Sequence, residues 1–264
     1  MNVQLICKNC GHEFTGQYCP ACGQKHIPER WNLKRLFRSA FTNVFNIEKG
    51  FFFTFKELFL RPGKVMGEYL DGRTTPYTNP FRYMILAAAI SVFLMISSGV
   101  WELQVNNIIQ SYKDFGMISS EADEIRMRKS MSFVTKFMNF MPLILLPFIA
   151  LSSRLFIGKK LYYAEHFIMV AFLMAQSTIY SLLLTSIAYF FPNFITWVMA
   201  GGFLFATIVF GQAFHGLFKK SWLESLALGL VVYIMGFIFF FLIIGVLAFV
   251  LGVLAAIIYK MTKG

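Results

Sequence analysis

Ser225–Tyr259 reads SLALGLVVYIMGFIFFFLIIGVLAFVLGVLAAIIY, 35 residues without one formal charge. A hydrocarbon core about 30 Å thick takes roughly 20 apolar residues as a helix, and a helix apolar on every side belongs in lipid or in a very large protein core. As a single helix the run would be about 52 Å long at about 1.5 Å per residue. It is therefore either one tilted span with a protruding end or a hairpin turning near Gly245. Lys260 and Lys263 favour the hairpin, which would return them to the cytoplasmic side. The lack of any polar turn residue between Gly236 and Gly252 favours one helix, and that reading is adopted here.

Outward from this run the chain keeps the same character. Of 264 residues, 57% are apolar, 18% aromatic and 14% charged. Soluble domains carry about 25% charged residues, so this composition excludes a monomeric soluble protein, a disordered chain and a secreted disulfide scaffold. Four more uncharged runs have membrane-crossing length: Tyr83–Trp101, Phe137–Ser153 with Pro142 and Pro147, Phe167–Tyr189 and Phe194–Phe214. The Phe190-Phe191-Pro192-Asn193 turn separates the last two. Trp101 and Trp197 are placed at the interfaces, where aromatic belts form. The expected fold class is an all-α integral membrane protein with about five transmembrane helices, six if the hairpin forms. The spans run near 83–101, 137–153, 167–189, 194–214 and 225–259, within a polytopic domain 83–264.

The net charge of +11 is unevenly distributed. Residues 1–82 and 137–264 carry the excess, whereas 83–136 hold five basic and five acidic side chains. Lys/Arg-rich connections lie on the cytoplasmic side of a membrane. Lys159 and Lys160, and later Lys219 and Lys220, then fall inside, together with the N-terminus. The expected location is the inner (cytoplasmic) membrane, multi-pass, with the N-terminus cytoplasmic. Residues 1–30 contain no apolar signal-peptide core. The basic excess points to anionic lipid headgroups as partners and away from nucleic acid. Glu121–Lys129 reads as a solvated helix with internal ion pairs.

All four cysteines fall in two C-x-x-C pairs, Cys7/Cys10 and Cys19/Cys22. Two such pairs bring four thiolates within reach of one ion and suit tetrahedral zinc. Iron or a pair of disulfides would use the same residues. Gly11 and Gly23 follow the second cysteine of each pair and supply the left-handed backbone that a tight knuckle requires. Residues 1–26 have almost no apolar core, so metal would supply most of their folding energy. Four Cys ligands leave no open position for water, which makes the zinc structural and a catalytic role improbable. His12 and His26 read as exposed loop residues outside the ligand set. Reduced cysteines agree with the cytosol.

Residues 27–82 form a collar. An amphipathic helix is expected over 31–46, with Leu33, Leu36, Phe37, Ala40, Phe41 and Val44 on one face. It would lie in the headgroup region or on the protein's own spans. Phe51 to Leu60 is too short to span and reads as re-entrant or interfacial. Pro62 can open the next helix, and Asp71-Gly72 closes it in a turn.

Taken in order, three segments of this chain resemble a group of poorly characterised bacterial membrane proteins, common in Bacteroidota and catalogued as a domain of unknown function. They are the C-x-x-C-G…C-P-x-C-G-Q ribbon from Cys7 to Gln24, Arg61-Pro62-Gly63-Lys64-Val65…Glu68-Tyr69-Leu70-Asp71-Gly72-Arg73, and Asn79-Pro80-Phe81-Arg82-Tyr83. The resemblance covers the first third of the chain closely. It implies a zinc ribbon fused to a multi-spanning helical domain and implies no established activity.

Ionisable groups at membrane depth usually mark function, and here they are few. Glu165 and His166 open the third span, and Gln212 and His215 close the fourth, all toward the cytoplasmic side. They form a candidate polar membrane site for a proton, a metal or a polar substrate contact, set against the plainer reading of interfacial hydrogen bonding. Gln176, Ser177, Thr178, Tyr180, Ser181, Thr185 and Ser186 make the third span polar; such residues line a pathway or bond across packed helices. Gly201, Gly202, Gly211, Gly229, Gly236, Gly245 and Gly252 point to close helix approach. There is no nucleophile elbow, P-loop, dinucleotide fingerprint or H-E-x-x-H. The expectation is a non-enzymatic membrane protein whose cytoplasmic ribbon binds a cytoplasmic or membrane protein partner as an adaptor, assembly or sensor module. The alternative is a transporter or channel for a small solute or lipid, using the third span with Glu165, His166 and His215.

Overall fold

The computed structural model describes residues 4–27, 30–34, 36, 50–138, 140–158, 160–191 and 195–263. Most of the expected 31–46 helix, Lys159 and the Pro192-Asn193 end of the turn lie outside them, as does the side chain of Trp197. The described chain is almost wholly helical, with one two-stranded antiparallel sheet at its start, β1 (Leu5–Ile6) and β2 (Glu13–Phe14), in the register Leu5↔Phe14.

Two short helices follow, α1 (Gly50–Leu60) and α2 (Pro62–Leu70). Pro62 sits at the first helical position, where a missing N–H costs nothing. Helix α1 buries Thr54, Glu57 and Leu58 rather than crossing anything. Phe51 packs on Tyr83 and Phe59 on Tyr180, so α1 lies along the bundle. Helix α3 (Pro80–Ser97) starts at Asn79, whose Oδ1 accepts from the Phe81 N–H at 3.1 Å, again with proline first.

The run Tyr83–Trp101 is not one helix. Ser97 and Ser98 turn their hydroxyls back onto the Leu94 and Met95 carbonyls, and Gly99 takes the left-handed backbone at φ +68. The chain then leaves as α4 (Val100–Asp114), so Trp101 belongs to α4 and packs with its Val105 and Ile109. Helix α5 (Glu121–Met138) pairs with α4 through Lys113–Glu124 at 2.6 Å, and its own acidic first turn meets Arg126 and Arg128. These are the ion pairs expected of Glu121–Lys129.

The run at 137–153 is also shifted. Residues 137 and 138 end α5, and the apolar helix is α6 (Met141–Ile157), with Pro147 inside it. Next come α7 (Tyr163–Phe190), α8 (Ile195–Phe218) and α9 (Trp222–Lys263). Helix α9 runs unbroken through Gly245 for 42 residues, so the hairpin is not formed. Four of the described helices, α3, α7, α8 and α9, are long and apolar enough to cross a membrane; α6, at 17 residues, is shorter.

Helix α7 is the axis of the bundle. Its residues 167–175 are buried, with α3, α6 and α8 around them. Helix α9 lies on α6 and α8 through small residues. A Cβ on Gly229 would sit 2.9 Å from the Gly211 nitrogen, and one on Gly236 would collide with Ile149 Cγ1. From Phe241 onward the described α9 side chains are exposed, and among the described residues a Cβ on Gly245 or Gly252 would meet nothing within 4 Å.

Candidate metal centre and its dock

Each C-x-x-C pair folds into the same knuckle, twelve residues apart in sequence. The Cys7 N–H donates to the His12 carbonyl and the Gly11 N–H to the Cys7 carbonyl, both at 2.9 Å. The Cys19 N–H and the Gly23 N–H repeat these bonds to Gln24 and Cys19 at the same length. Gly11 and Gly23 hold φ +76 and +70, the conformation expected of them.

The two knuckles face each other. The four Sγ atoms of Cys7, Cys10, Cys19 and Cys22 lie within 4.8 Å of one another. Cys7 and Cys22 are 3.5 Å apart, Cys10 and Cys19 3.7 Å. A tetrahedron of sulfurs about 2.3 Å from a central ion has edges of about 3.8 Å, so the spacing fits a bound metal, and these distances are far beyond a disulfide bond of about 2.05 Å. The cysteines could bind a metal ion as a closed set. The Asn9 side chain, then the Gln24 backbone, pulls the Cys22 thiol down to about 6. The His12 N–H pulls Cys10 down too, but burial and the neighbouring sulfurs outweigh it and push that thiol up to about 12. His12 is exposed as expected, whereas His26 is half-buried, edge-on to the Phe14 ring.

The residue after the second knuckle does something that the sequence reading did not assign. Gln24, 2% exposed, reaches out of the ribbon to the turn that follows α2. Its Nε2 donates to the Gly72 carbonyl (3.0 Å), Thr74 Oγ1 (2.9 Å) and the Lys25 carbonyl (2.8 Å). Its Oε1 accepts from the Thr74 N–H (3.1 Å), the Thr75 N–H (2.9 Å) and the Thr75 hydroxyl (2.6 Å). A second tie runs from Arg73 Nε to Asn9 Oδ1 at 3.1 Å. Arg73 is itself held by Glu68, which also accepts from the Tyr77 hydroxyl. The segment Glu68–Thr75 is thus the ribbon's dock. The signal was present: Gln24 stands in the ribbon motif but cannot ligate a soft metal.

The candidate polar membrane residues go to separate partners. Glu165 turns back to accept from the Tyr162 N–H at 2.7 Å, with Arg30 3.9 Å away. This is a helix-capping contact. His166 is buried, its Nδ1 2.9 Å from Ser153 Oγ on α6. His215 is exposed, with Nδ1 2.7 Å from the Lys220 carbonyl and its ring edge-on to Trp222. Gln212 is half-buried on α8. Among the described residues, the four cysteines make up the one cluster of three or more His, Cys, Asp or Glu ligands.

A helical bundle apolar enough to cross a membrane, headed by a four-thiolate cluster, defines the class: a membrane protein with a candidate metal-binding head. Residues 48–92 match the family model described as Protein of unknown function (DUF3667). That stretch holds α1, α2, the dock and the first two thirds of α3. No curated protein and no solved structure matches the chain.

Proposed function

We propose that this is a non-enzymatic, polytopic inner-membrane protein whose cytoplasmic zinc ribbon is a protein-interaction module. The observation that carries the reading is the closed four-cysteine cluster clamped to the membrane domain through Gln24. A closed set of thiolates offers no open coordination position for catalysis, yet the head is fixed in place and leaves apolar side chains in solvent. Ile6 is 67% exposed and Tyr18 57%. These two exposed side chains are the contacts assigned to the partner in this reading. Zinc is preferred over iron because a closed set of four thiolates from two C-x-x-C knuckles is the usual structural zinc site.

The proposed topology has five spans, α3, α6, α7, α8 and α9. It puts α4 and α5 outside and the connections at 158–162 and 219–221 inside, in accord with positive-inside. Metal analysis of the purified protein and a C-terminal reporter test these two points: one zinc per chain and an external C-terminus are expected.

The interaction reading is tested by co-purification from the native host, comparing the wild-type chain with Cys22→Ser and with Ile6→Asp/Tyr18→Asp. Loss of the same partner in both variants is expected. An unchanged partner set, also after deletion of residues 1–26, refutes it. The alternative of a transporter or channel draws no support from Glu165, His166 and His215, which bond elsewhere, and rests on the polar face of α7.

A further inference from the structure

Four hydroxyls in the second half of α7 bond within their own helix and not across to its neighbours, unlike Tyr163 near its start, whose hydroxyl donates to the Pro147 carbonyl of α6. Ser177, Thr178, Thr185 and Ser186 each donate to the carbonyl four residues back, on Leu173, Met174, Ser181 and Leu182, at 2.7–2.9 Å. A hydroxyl has one proton to give, so once it is used in this way the oxygen offers only lone pairs. Ser177, Thr178 and Thr185, with Ser181 of the same helix and Ser91 of α3, line a half-open chamber of about 330 Å³ bordered by α3, α4, α6, α7, α8 and α9. It lies at the end of the bundle away from the ribbon, with Trp101 and Gln104 of α4 at one side and Tyr233 of α9 at another. Its size falls within the range of small-molecule sites.

Two further features define what fits. Among the described residues, none that lines the chamber carries a formal charge, and an ion held at membrane depth without a counter-charge is strongly disfavoured. The chamber also continues into a narrower cleft of about 110 Å³ between α3 and α7, sharing Met95, Leu182 and Thr185 with it. There the walls are largely apolar: Leu94, Val100 and Phe190 join the shared Met95 and Leu182. Leu94 and Phe190 are exposed at the bundle surface, so the cleft leads toward lipid. A hydroxyl-rich chamber without charge, joined to a greasy exit, has the shape of an amphiphile.

We propose that this chamber and cleft bind an uncharged amphiphile whose head donates hydrogen bonds, of the class of monoacylglycerols and long-chain alcohols. The hydroxyl head donates to the acceptor oxygens of α7 and accepts from the Gln104 side of the chamber, and the chain leaves between α3 and α7. The site is separate from the ribbon and stands whether or not the adaptor reading does.

The test uses the full chain in lipid nanodiscs and a monoacylglycerol carrying a photoactivatable diazirine on its acyl chain. Saturable labelling is expected within residues 91–104 and 177–190, competed by unlabelled monoacylglycerol and not by an alkyl phosphate of equal chain length. A Cβ on Gly202 would meet Ser181 Oγ at an ordinary 3.6 Å, so Gly202→Leu places the rest of its side chain in the chamber. It should cut saturable labelling at least tenfold while ribbon metal content stays at the wild-type level. Should that variant misfold, Ala88→Leu and the hydroxyl-deleting Thr185→Val decide by the same loss. Three results would each overturn the proposal: unsaturable labelling spread over the exposed 241–259 stretch, labelling unchanged in the filling variants, or equal competition by the phosphate.

Discussion

Gln24→Ala is the sharpest test of how the ribbon is attached. The side chain is buried, and its amide engages both donor hydrogens and the carbonyl oxygen on three residues of the dock. A typical hydrogen bond contributes about 1 kcal/mol net, and a buried partner left unpaired costs about 1–3 kcal/mol. Thr75 is exposed, so water can reach part of the vacated site. With three dock residues losing partners and some rehydration, the docked state should weaken by about 2–3 kcal/mol, roughly 30- to 150-fold at about 1.4 kcal/mol per decade. Hydrogen exchange of the Thr74 and Thr75 amides in nanodiscs reads this directly: their protection should fall by that factor, with α7 unaffected. Gln24→Glu should behave similarly, because it keeps the shape but turns acceptor oxygens toward the Gly72 and Lys25 carbonyls. Protection within threefold of wild type in both variants would refute the clamp. A matching loss of metal affinity would instead assign Gln24 to the ribbon's own folding.

Cys22→Ser should reduce bound metal from about one ion per chain to under a tenth, measured by atomic emission, since the ribbon's folding draws on metal binding worth about 10–16 kcal/mol. Gly63→Ala puts a Cβ 2.5 Å from the Gly216 carbonyl carbon, backbone against backbone, and should lower the melting temperature as overpacking of about 1–3 kcal/mol. Gly67→Ala, one turn on, meets only Leu217 Cδ1 at 3.6 Å; it should be neutral or stabilising through helix propensity, and equal effects would refute this account of the α2–α8 contact. Glu57 is held below the usual carboxylate range by the Arg61 guanidinium, which it accepts from at 2.7 and 3.0 Å. A depressed folded pKa adds stability that is present above the unfolded value of about 4.3 and lost as pH falls through the folded one. Glu57→Gln should therefore flatten the acid limb of a melting-temperature profile, and an unchanged limb would refute the assignment.

The parts of the fold that were legible are those governed by local rules. C-x-x-C-G spacing fixes a knuckle because the loop is closed by its own backbone, and the four sulfurs gather as expected. Pro62 and Pro80 start helices because their fixed φ and missing N–H suit the first turn. Two run boundaries were misplaced for one reason: hydropathy does not register backbone direction. Tyr83–Trp101 is apolar throughout, but Ser97-Ser98-Gly99 gives the chain polar back-bonds and a left-handed residue with which to leave the axis. Likewise, Phe137 and Met138 are apolar and still end α5. The dock was legible only as a motif without a task. Gln24 and Thr74 are 50 residues apart, and a bond between a side-chain amide and a distant turn leaves no periodicity in either segment.

The last helix marks the limit of composition as a guide. Gly229 and Gly236 are seven residues apart, and so are Gly245 and Gly252. By sequence, the two pairs make the same case for close helix packing. In the fold the first pair is pressed against Gly211 and Ile149, and a Cβ on either of the second would meet nothing within 4 Å among the described residues. Small residues permit close approach, but the attraction that uses it comes from a partner surface at the right depth. Helices α6 and α8 supply that surface for the first half of α9. They are 17 and 24 residues long, against 42 in α9, so they run out at about Gly245 and well short of Gly252. The length of the neighbours, rather than anything within Ser225–Tyr259, decides which half of the run is packed.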